Sequence, residues 1–532
     1  VSRIVVVGAG VAGLGTAALL AQEGHDVAVV ERQPTVGGRI GVWREGGFTF
    51  DLGPSWYLMP EVFDRFFAAL GTTAQDELDL VELPTAFRAF FDGAPPLDVT
   101  RDVGRTVAAF EAREPGAGAR LEAYLGSAGR TYRTAVDRFL YSDYASASEL
   151  GRVVRGLGPR DVAELFTLVS TSLWRRTGRV ARDDTLRQVL AYPAVFLGAS
   201  PYQAPALYHL MSHLDLVEGV RYPRGGFGTL ATALERLAVE RGATVRTRTE
   251  VERVLVEPLP DGGARCSRRR PAGRASGVLV RDLVSGAVER LEADVVVAAG
   301  DLHHTETRLV PGAYRTYPER WWRRRDPGPG AVLVCLGVRG SLDGLAHHSL
   351  VFTADWQRNF DAVFGRRRSV PDPASYYVCR PSATDPTVAP PGHENLFVLV
   401  PVPADPGLTP DDPRVTALVD RVVADLGRRA GADDLDGRVV VRRVLTPSWF
   451  AQTLHAWSGG ALGPAHTLRQ SALLRGRNAS SKVAGLVYAG GSTIPGVGLP
   501  MCLISAELAA RRVAASAAAG DHDRRDAAET VS

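Results

Sequence analysis

IVVVGAGVAGLGTAALLAQ, Ile4 to Gln22, decides the fold. Ile4 to Val7 is a β-branched run that reads as a buried strand, and from Val11 onward alanine and leucine recur at helical spacing. Gly8, Gly10 and Gly13 stand between them as G-x-G-x-x-G. A second apolar run, Val27 to Val30, ends at Glu31, 18 residues after Gly13. Strand, glycine turn, helix and acid-tipped strand in this order read as a βαβ unit that binds a dinucleotide. Gly8 permits the tight turn, Gly10 lets a pyrophosphate approach the backbone, and Gly13 lets the helix pack closely. The helix N-terminus faces the phosphate charge. Glu31 is expected to take the ribose hydroxyls. A signal peptide, the other reading of an early arginine and an apolar stretch, fits the glycines less well.

Outward from this unit the text changes character several times. Val36 to Trp56 is glycine-rich with short alternating strands, and Glu61 to Leu70 reads as a helix. From Thr106 to Gly219 helical segments rich in alanine, leucine and arginine replace the strands. YPRGGFGTL, from Tyr222, returns to a glycine turn, an amphipathic helix and two strands. Pro258 to Gly277 is turn-rich and basic and reads as an exposed hairpin loop. Ala293 to Asp301 is a buried strand ending in a turn, and Val332 to Val338 with Leu396 to Val402 supply strands of another sheet. The predicted organisation is a discontinuous nucleotide-binding domain over 1–85, 220–300 and 452–515. A substrate domain spans 86–105 and 301–451, and a helical lobe, a candidate for facing a membrane, spans 106–219. A tail over 518–532 is expected to be disordered.

With 532 residues, 45% of them hydrophobic and 23% charged, the chain has room for two or three lobes around a large ligand. A net charge of +3 is too small for this length to imply nucleic acid as a partner. Cys266, Cys335, Cys379 and Cys502 form no CxxC, so a reducing cytoplasm is the expected compartment. No apolar run reaches the ~18 residues of a spanning helix, and any membrane contact is expected to be peripheral. Trp321 and Trp322, in YPERWWRRRDPGPG, admit two readings: headgroup docking beside arginines, or internal packing. His209 and His213 share a helical face at i, i+4, yet HLMSH lacks the glutamate of HExxH, and no metal is expected.

The extension VGGRIGVW, with Gly37, Gly38 and Arg39, resembles flavoproteins of the amine oxidase and carotenoid desaturase group. FDLGPSWYLMP, YPRGGFGTL and AGGSTIPGVGLP are similar to bacterial-type phytoene desaturases over nearly the whole chain. Ile494 departs from the pattern, since many members carry histidine or another polar residue there. The resemblance implies an α/β fold: a Rossmann-like FAD-binding domain of the amine oxidase and glutathione reductase type, with a sheet-containing substrate domain and the helical lobe inserted. It implies FAD as cofactor, with Arg39 along the diphosphate and Val251 at the adenine. Gly490, Gly491, Pro495, Gly496 and Gly498 would lie beside the isoalloxazine and ribityl chain. Asp301 matches an acidic position that faces the substrate channel in relatives; a helix-cap role is the simpler reading.

The activity so implied is stepwise dehydrogenation of phytoene, a C40 polyene, toward lycopene, by hydride transfer to flavin N5 in a dry tunnel. A quinone or oxygen would reoxidise the flavin, at the inner face of the cell membrane. Related carotene isomerases and ketolases share these motifs. An amine oxidase would need a lysine near N5, and Lys482, the one lysine, precedes the C-terminal strand instead. A prenyl-lipid-binding protein resembling GDP-dissociation inhibitors would have no use for a complete dinucleotide site.

Overall fold

The computed structural model describes residues 1–142, 144, 151, 158–259 and 271–529. The valine-rich strand Arg3–Val7 lies at the centre of a five-stranded sheet, in the order Leu486–Tyr488, Val295–Ala298, Arg3–Val7, Asp26–Val30, Thr244–Arg246. Every neighbouring pair in it is parallel. Parallel strands are covered on both faces, which is why each reads as an unbroken apolar run. The helix Val11–Gln22 is buried along nearly its whole length between Gly228–Glu240 and the last helix, Leu499–Glu529. Ala12, Gly13, Ala17 and Ala18 keep it thin enough for that position.

A second, antiparallel sheet pairs Thr249–Pro258 with Gly273–Asp282, and the latter with Val288–Glu292. The basic stretch read as the hairpin loop between them falls mainly on 260–270, outside the described residues. The third sheet has seven strands, ordered Val439–Leu445, Pro329–Arg339, His393–Pro403, Tyr376–Cys379, His348–Phe352, Thr85–Phe91, Leu97–Thr100. Alternation along a strand splits its faces. Val332, Val334 and Leu336 pack with the helix Pro413–Ala430, whereas Leu333 and Cys335 face the main core. One row in register crosses all seven strands: Leu445, Leu333, Leu399, Tyr377, Leu350, Ala89 and Leu97. Tyr377 is its single polar member.

Three of the helical segments after Leu97–Thr100 begin at side-chain caps, Asp102 for Val103–Arg113, Ser172 for Leu173–Thr177 and Asp183 for Asp184–Ala191. Among the described residues no helix is long and apolar enough to cross a membrane.

Two expectations need correction. Residues 302–322, assigned by sequence to the substrate domain, pack instead on the parallel sheet: Leu302, Leu309, Val310 and Trp322 share a core with Val5, Val296 and Tyr488. Trp322 is fully buried and its indole N–H donates to the Tyr317 carbonyl, while Trp321 is half-buried under the Arg325 guanidinium. Of the two readings of these tryptophans, internal packing is the one realised. The last helix also runs on to Glu529, through the segment expected to be disordered. Its run of alanines favours helix.

Candidate active site

Three strand ends meet at the carboxyl edge of the parallel sheet, where such folds bind ligands. They are Val7–Gly8, Ala298–Gly300 and Tyr488–Gly490. Gly8 takes φ +100°, and a Cβ there would stand 3.4 Å from the Gly300 nitrogen. A Cβ on Gly13 would stand 1.9 Å from the Gly8 carbonyl oxygen, so only glycine lets the helix start this close to the turn. Gly10 and Gly300 differ: a Cβ on either would meet no protein atom within 4 Å. Their bare Cα atoms border an open concavity at the N-terminus of the first helix, the shape and polarity a pyrophosphate needs.

Glu31 closes one side of that concavity. Its carboxylate accepts the Ala9 and Gln33 N–H groups, each at 2.8 Å, and burial raises its pKa against the pull of those bonds. Lone pairs remain for a diol. Thr249 N–H donates to the Glu31 carbonyl, which brings Val251, buried two residues further along the strand, to the same edge. Gly37 N–H donates to the Ala9 carbonyl, and Gly38 sits against Gly10, where its Cβ would come within 3.3 Å of the Gly10 Cα. Arg39 follows. Its Nε donates to the Ala461 carbonyl and its Nη2 is buried with no partner. An unpartnered guanidinium nitrogen in a glycine-lined hollow fits an anionic cofactor.

Beyond Arg39 opens a cavity of about 820 Å³. Gly491, Pro495, Val497 and Gly498 form its inner wall, and Leu333, Tyr377 and Leu399, neighbours in the seven-stranded row, form its roof. Its lining is predominantly apolar and extends into the helical lobe at Phe139 and Leu168. Gly490 takes φ +105° beside Ala299, and Gly496 takes φ +151° where a Cβ would collide with His466. His466 accepts the Val497 N–H and pairs with the Tyr208 hydroxyl, and burial holds it neutral. Ile494, the departure from the family pattern, is buried against the same cavity.

The remaining sequence candidates lie elsewhere. Asp301 caps Leu302–His304, with one carboxylate oxygen accepting from His303 and His304 N–H and the other from Trp457 N–H. Both oxygens are committed to backbone N–H groups, which is the helix-cap reading of Asp301. His209 is buried against the Ala206 carbonyl and Ser127, while His213 sits beside Glu218.

Sequence reading missed a polar patch in the cavity roof. The Tyr377 hydroxyl bonds Ser55 Oγ at 2.6 Å and His348 Nδ1 at 2.7 Å, although Ser55 lies far away in the chain. Burial drives Tyr377 well above and His348 well below their ordinary pKa values, so both are neutral. Next to them His347, His348 and Cys379 bring one ligand-type atom each within 4.8 Å of one another. Only strand register brings these residues together, and no local motif signals it.

A glycine-lined dinucleotide cradle joined to a largely apolar cavity is the arrangement of a flavoprotein oxidoreductase that binds FAD. The flavin containing amine oxidoreductase family matches residues 11–514. A carotenoid 3,4-desaturase from Haloarcula japonica is 41% identical over 504 residues, 95% of this chain and 96% of that protein. A zeta-carotene-forming phytoene desaturase from Myxococcus xanthus is 35% identical, covering 96% of this chain and 93% of its own. In fold, the chain is similar to an oxidoreductase from Methanosarcina mazei, with TM-score 0.58 at 17% identity over 95% of this chain and 99% of the other. The chain belongs to the carotenoid desaturase family of FAD-dependent oxidoreductases, acting on CH–CH groups.

Proposed function

We propose that the chain desaturates phytoene or a phytoene-derived carotenoid, drawn from a membrane surface into the apolar cavity. The cavity itself carries the reading: about 820 Å³ of mainly apolar space beginning at the Gly491–Gly498 wall fits an extended hydrocarbon. Gly8, Gly10, Gly13, Glu31, Gly37, Gly38, Arg39 and Val251 would hold the dinucleotide half of FAD. Gly490, Gly491, Pro495, Gly496 and Gly498 would hold the flavin end. When bound, FAD supplies the two-electron acceptor that an alkyl C–H bond requires. The protein's part is to orient the chain and exclude water: Leu333 and Leu399 give a flat apolar roof, and Trp56, stacked on His348, closes one side. Quinone or oxygen would take the electrons afterwards.

Membrane contact would come at the mouth. Arg130, Arg133 and Arg138, on the helical-lobe side of the cavity lining, would meet the headgroups. Phe166, exposed by 73%, and Leu474, by 54%, adjoin in sequence the cavity-lining residues Leu165 and Ala472, and exposed apolar groups there would suit a lipid surface. A second substrate reading, introduction of a double bond at the 3,4 position of an already formed carotenoid, is favoured by the 41% identity to the Haloarcula protein.

Expression in cells that accumulate phytoene tests the first reading. New absorption of longer conjugated polyenes, from protein carrying FAD, supports it. Untouched phytoene with FAD bound, and conversion only when lycopene-type carotenoids are supplied, selects the second.

A further inference from the structure

Arg475 is 4% exposed. Its guanidinium donates to the carbonyls of Thr493 (3.0 Å), Pro464 (3.1 Å), Gln470 (3.4 Å) and Gly491 (2.6 Å). All four are neutral backbone dipoles. Among the described residues no carboxylate pairs with it, and the titratable groups coupled to it are the Tyr208 hydroxyl, the Cys502 thiol and the His466 imidazole, which burial keeps neutral. Burial pulls its pKa down to about 10, which leaves it charged at neutral pH. A buried charge without a counter-charge is costly and persists where a ligand supplies the missing sign.

The location says which ligand. Arg475 bonds the outer side of the turn whose inner side, at Gly491, Pro495, Val497 and Gly498, is the cavity wall. The last helix starts at Leu499, so its positive end adds to the same spot. Arg39, the other cation here, also has only a carbonyl partner, at Ala461. Arg39 follows Gly37 and Gly38 of the proposed diphosphate cradle, whereas Arg475 bonds the Gly491 and Thr493 carbonyls of the turn at the flavin end.

We propose that Arg475 is an electrostatic positioning residue, whose uncompensated charge one peptide layer behind the cavity wall stabilises reduced FAD as an anion and raises its reduction potential. The inference rests on the FAD assignment and deepens it. In desaturation one hydrogen leaves a CH–CH pair with its bonding electrons, and the other leaves as a proton that is passed out of the cavity to bulk water. The electron pair left from the second C–H bond closes the double bond. The cofactor gains two electrons and one proton, so its charge falls by one, and a fixed cation nearby favours that product. An unactivated hydrocarbon is a poor hydride donor, so the high potential is what the reaction needs.

The experiment is spectroelectrochemical titration of bound FAD in the wild type, Arg475→Lys and Arg475→Met. Arg475→Met is expected to make reduction at least tenfold less favourable, about 30 mV for a two-electron couple. Arg475→Lys, which keeps the charge, is expected to recover most of that. Should Arg475→Met fail to retain FAD, the wild type alone decides through the pH dependence of its potential. A reduced cofactor held as the anion gives half the slope of a two-electron, two-proton couple, persisting at acidic pH where free FAD shows the full slope. An Arg475→Met potential equal to wild type, a lysine variant shifted as far as the methionine one, or a wild-type slope matching free FAD overturns the proposal. Wild-type protein that carries no flavin would instead overturn the assignment on which it rests.

Discussion

Two glycines of one motif are predicted to fail for opposite reasons. A methyl on Gly13 would lie 1.9 Å from the Gly8 carbonyl oxygen. That is roughly 1.5 Å short of ordinary contact, and the obstacle is backbone in a fully packed turn. Gly13→Ala must therefore push the first helix off the central strand, at a cost of about 1–3 kcal/mol or more in stability. Gly10 has φ −77° and ψ 178°, which alanine adopts freely, and its methyl would meet no protein atom within 4 Å. Gly10→Ala should leave the apo-protein as stable as wild type, or gain about 0.4–1 kcal/mol through the unfolded chain. The methyl would instead occupy space at the phosphate cradle. If it costs the complex about 1–3 kcal/mol of overpacking, FAD affinity falls roughly five- to 150-fold. Thermal melts of the apo-proteins and fluorescence titration with FAD separate the two effects. A Gly10→Ala protein that binds FAD as tightly as wild type, or a Gly13→Ala protein with unchanged melting, would refute the reasoning from geometry.

Filling the roof with Leu399→Trp should leave FAD bound and reduce carotenoid turnover at least tenfold, read from pigment per mole of flavin in phytoene-accumulating cells. Asp301→Ala should lower stability by about 1 kcal/mol, as loss of a helix cap does, while turnover per bound flavin stays at the wild-type level. Asp215 is buried against the Tyr192 hydroxyl, with its pKa raised to about 7 by burial. The folded state then keeps a proton that the unfolded chain releases, so stability falls as pH rises from about 4 to 7. Asp215→Asn should flatten that fall, worth at most ~4 kcal/mol, in denaturant melts across the range.

The cradle was legible because its chemistry is local. Gly8, Gly10, Gly13 and Glu31 lie within one βαβ unit, so spacing alone carries their proposed roles. The same holds for the turn from Gly490 to Gly498 ahead of the last helix. Residues 302–322 were misplaced because an apolar side chain records that it is buried but not against which sheet. The final helix continues to Glu529 because its alanine run favours helix although the segment is polar.

By itself, the sequence determined the nucleotide fold, the cofactor cradle and, through family resemblance, the kind of chemistry. Tertiary structure decided what faces the cavity. Tyr377 meets Ser55 and His348 because strand register aligns the row from Leu445 to Leu97 over the loop after Phe48–Asp51. Arg475 becomes a buried, unpaired cation only once the segment before the last strand folds beneath the Gly490–Gly498 turn. Local periodicity is set by backbone geometry and survives in any window of sequence. The partner of a buried polar group depends on which distant segment is folded against it, and that is written only in the packing of the whole chain.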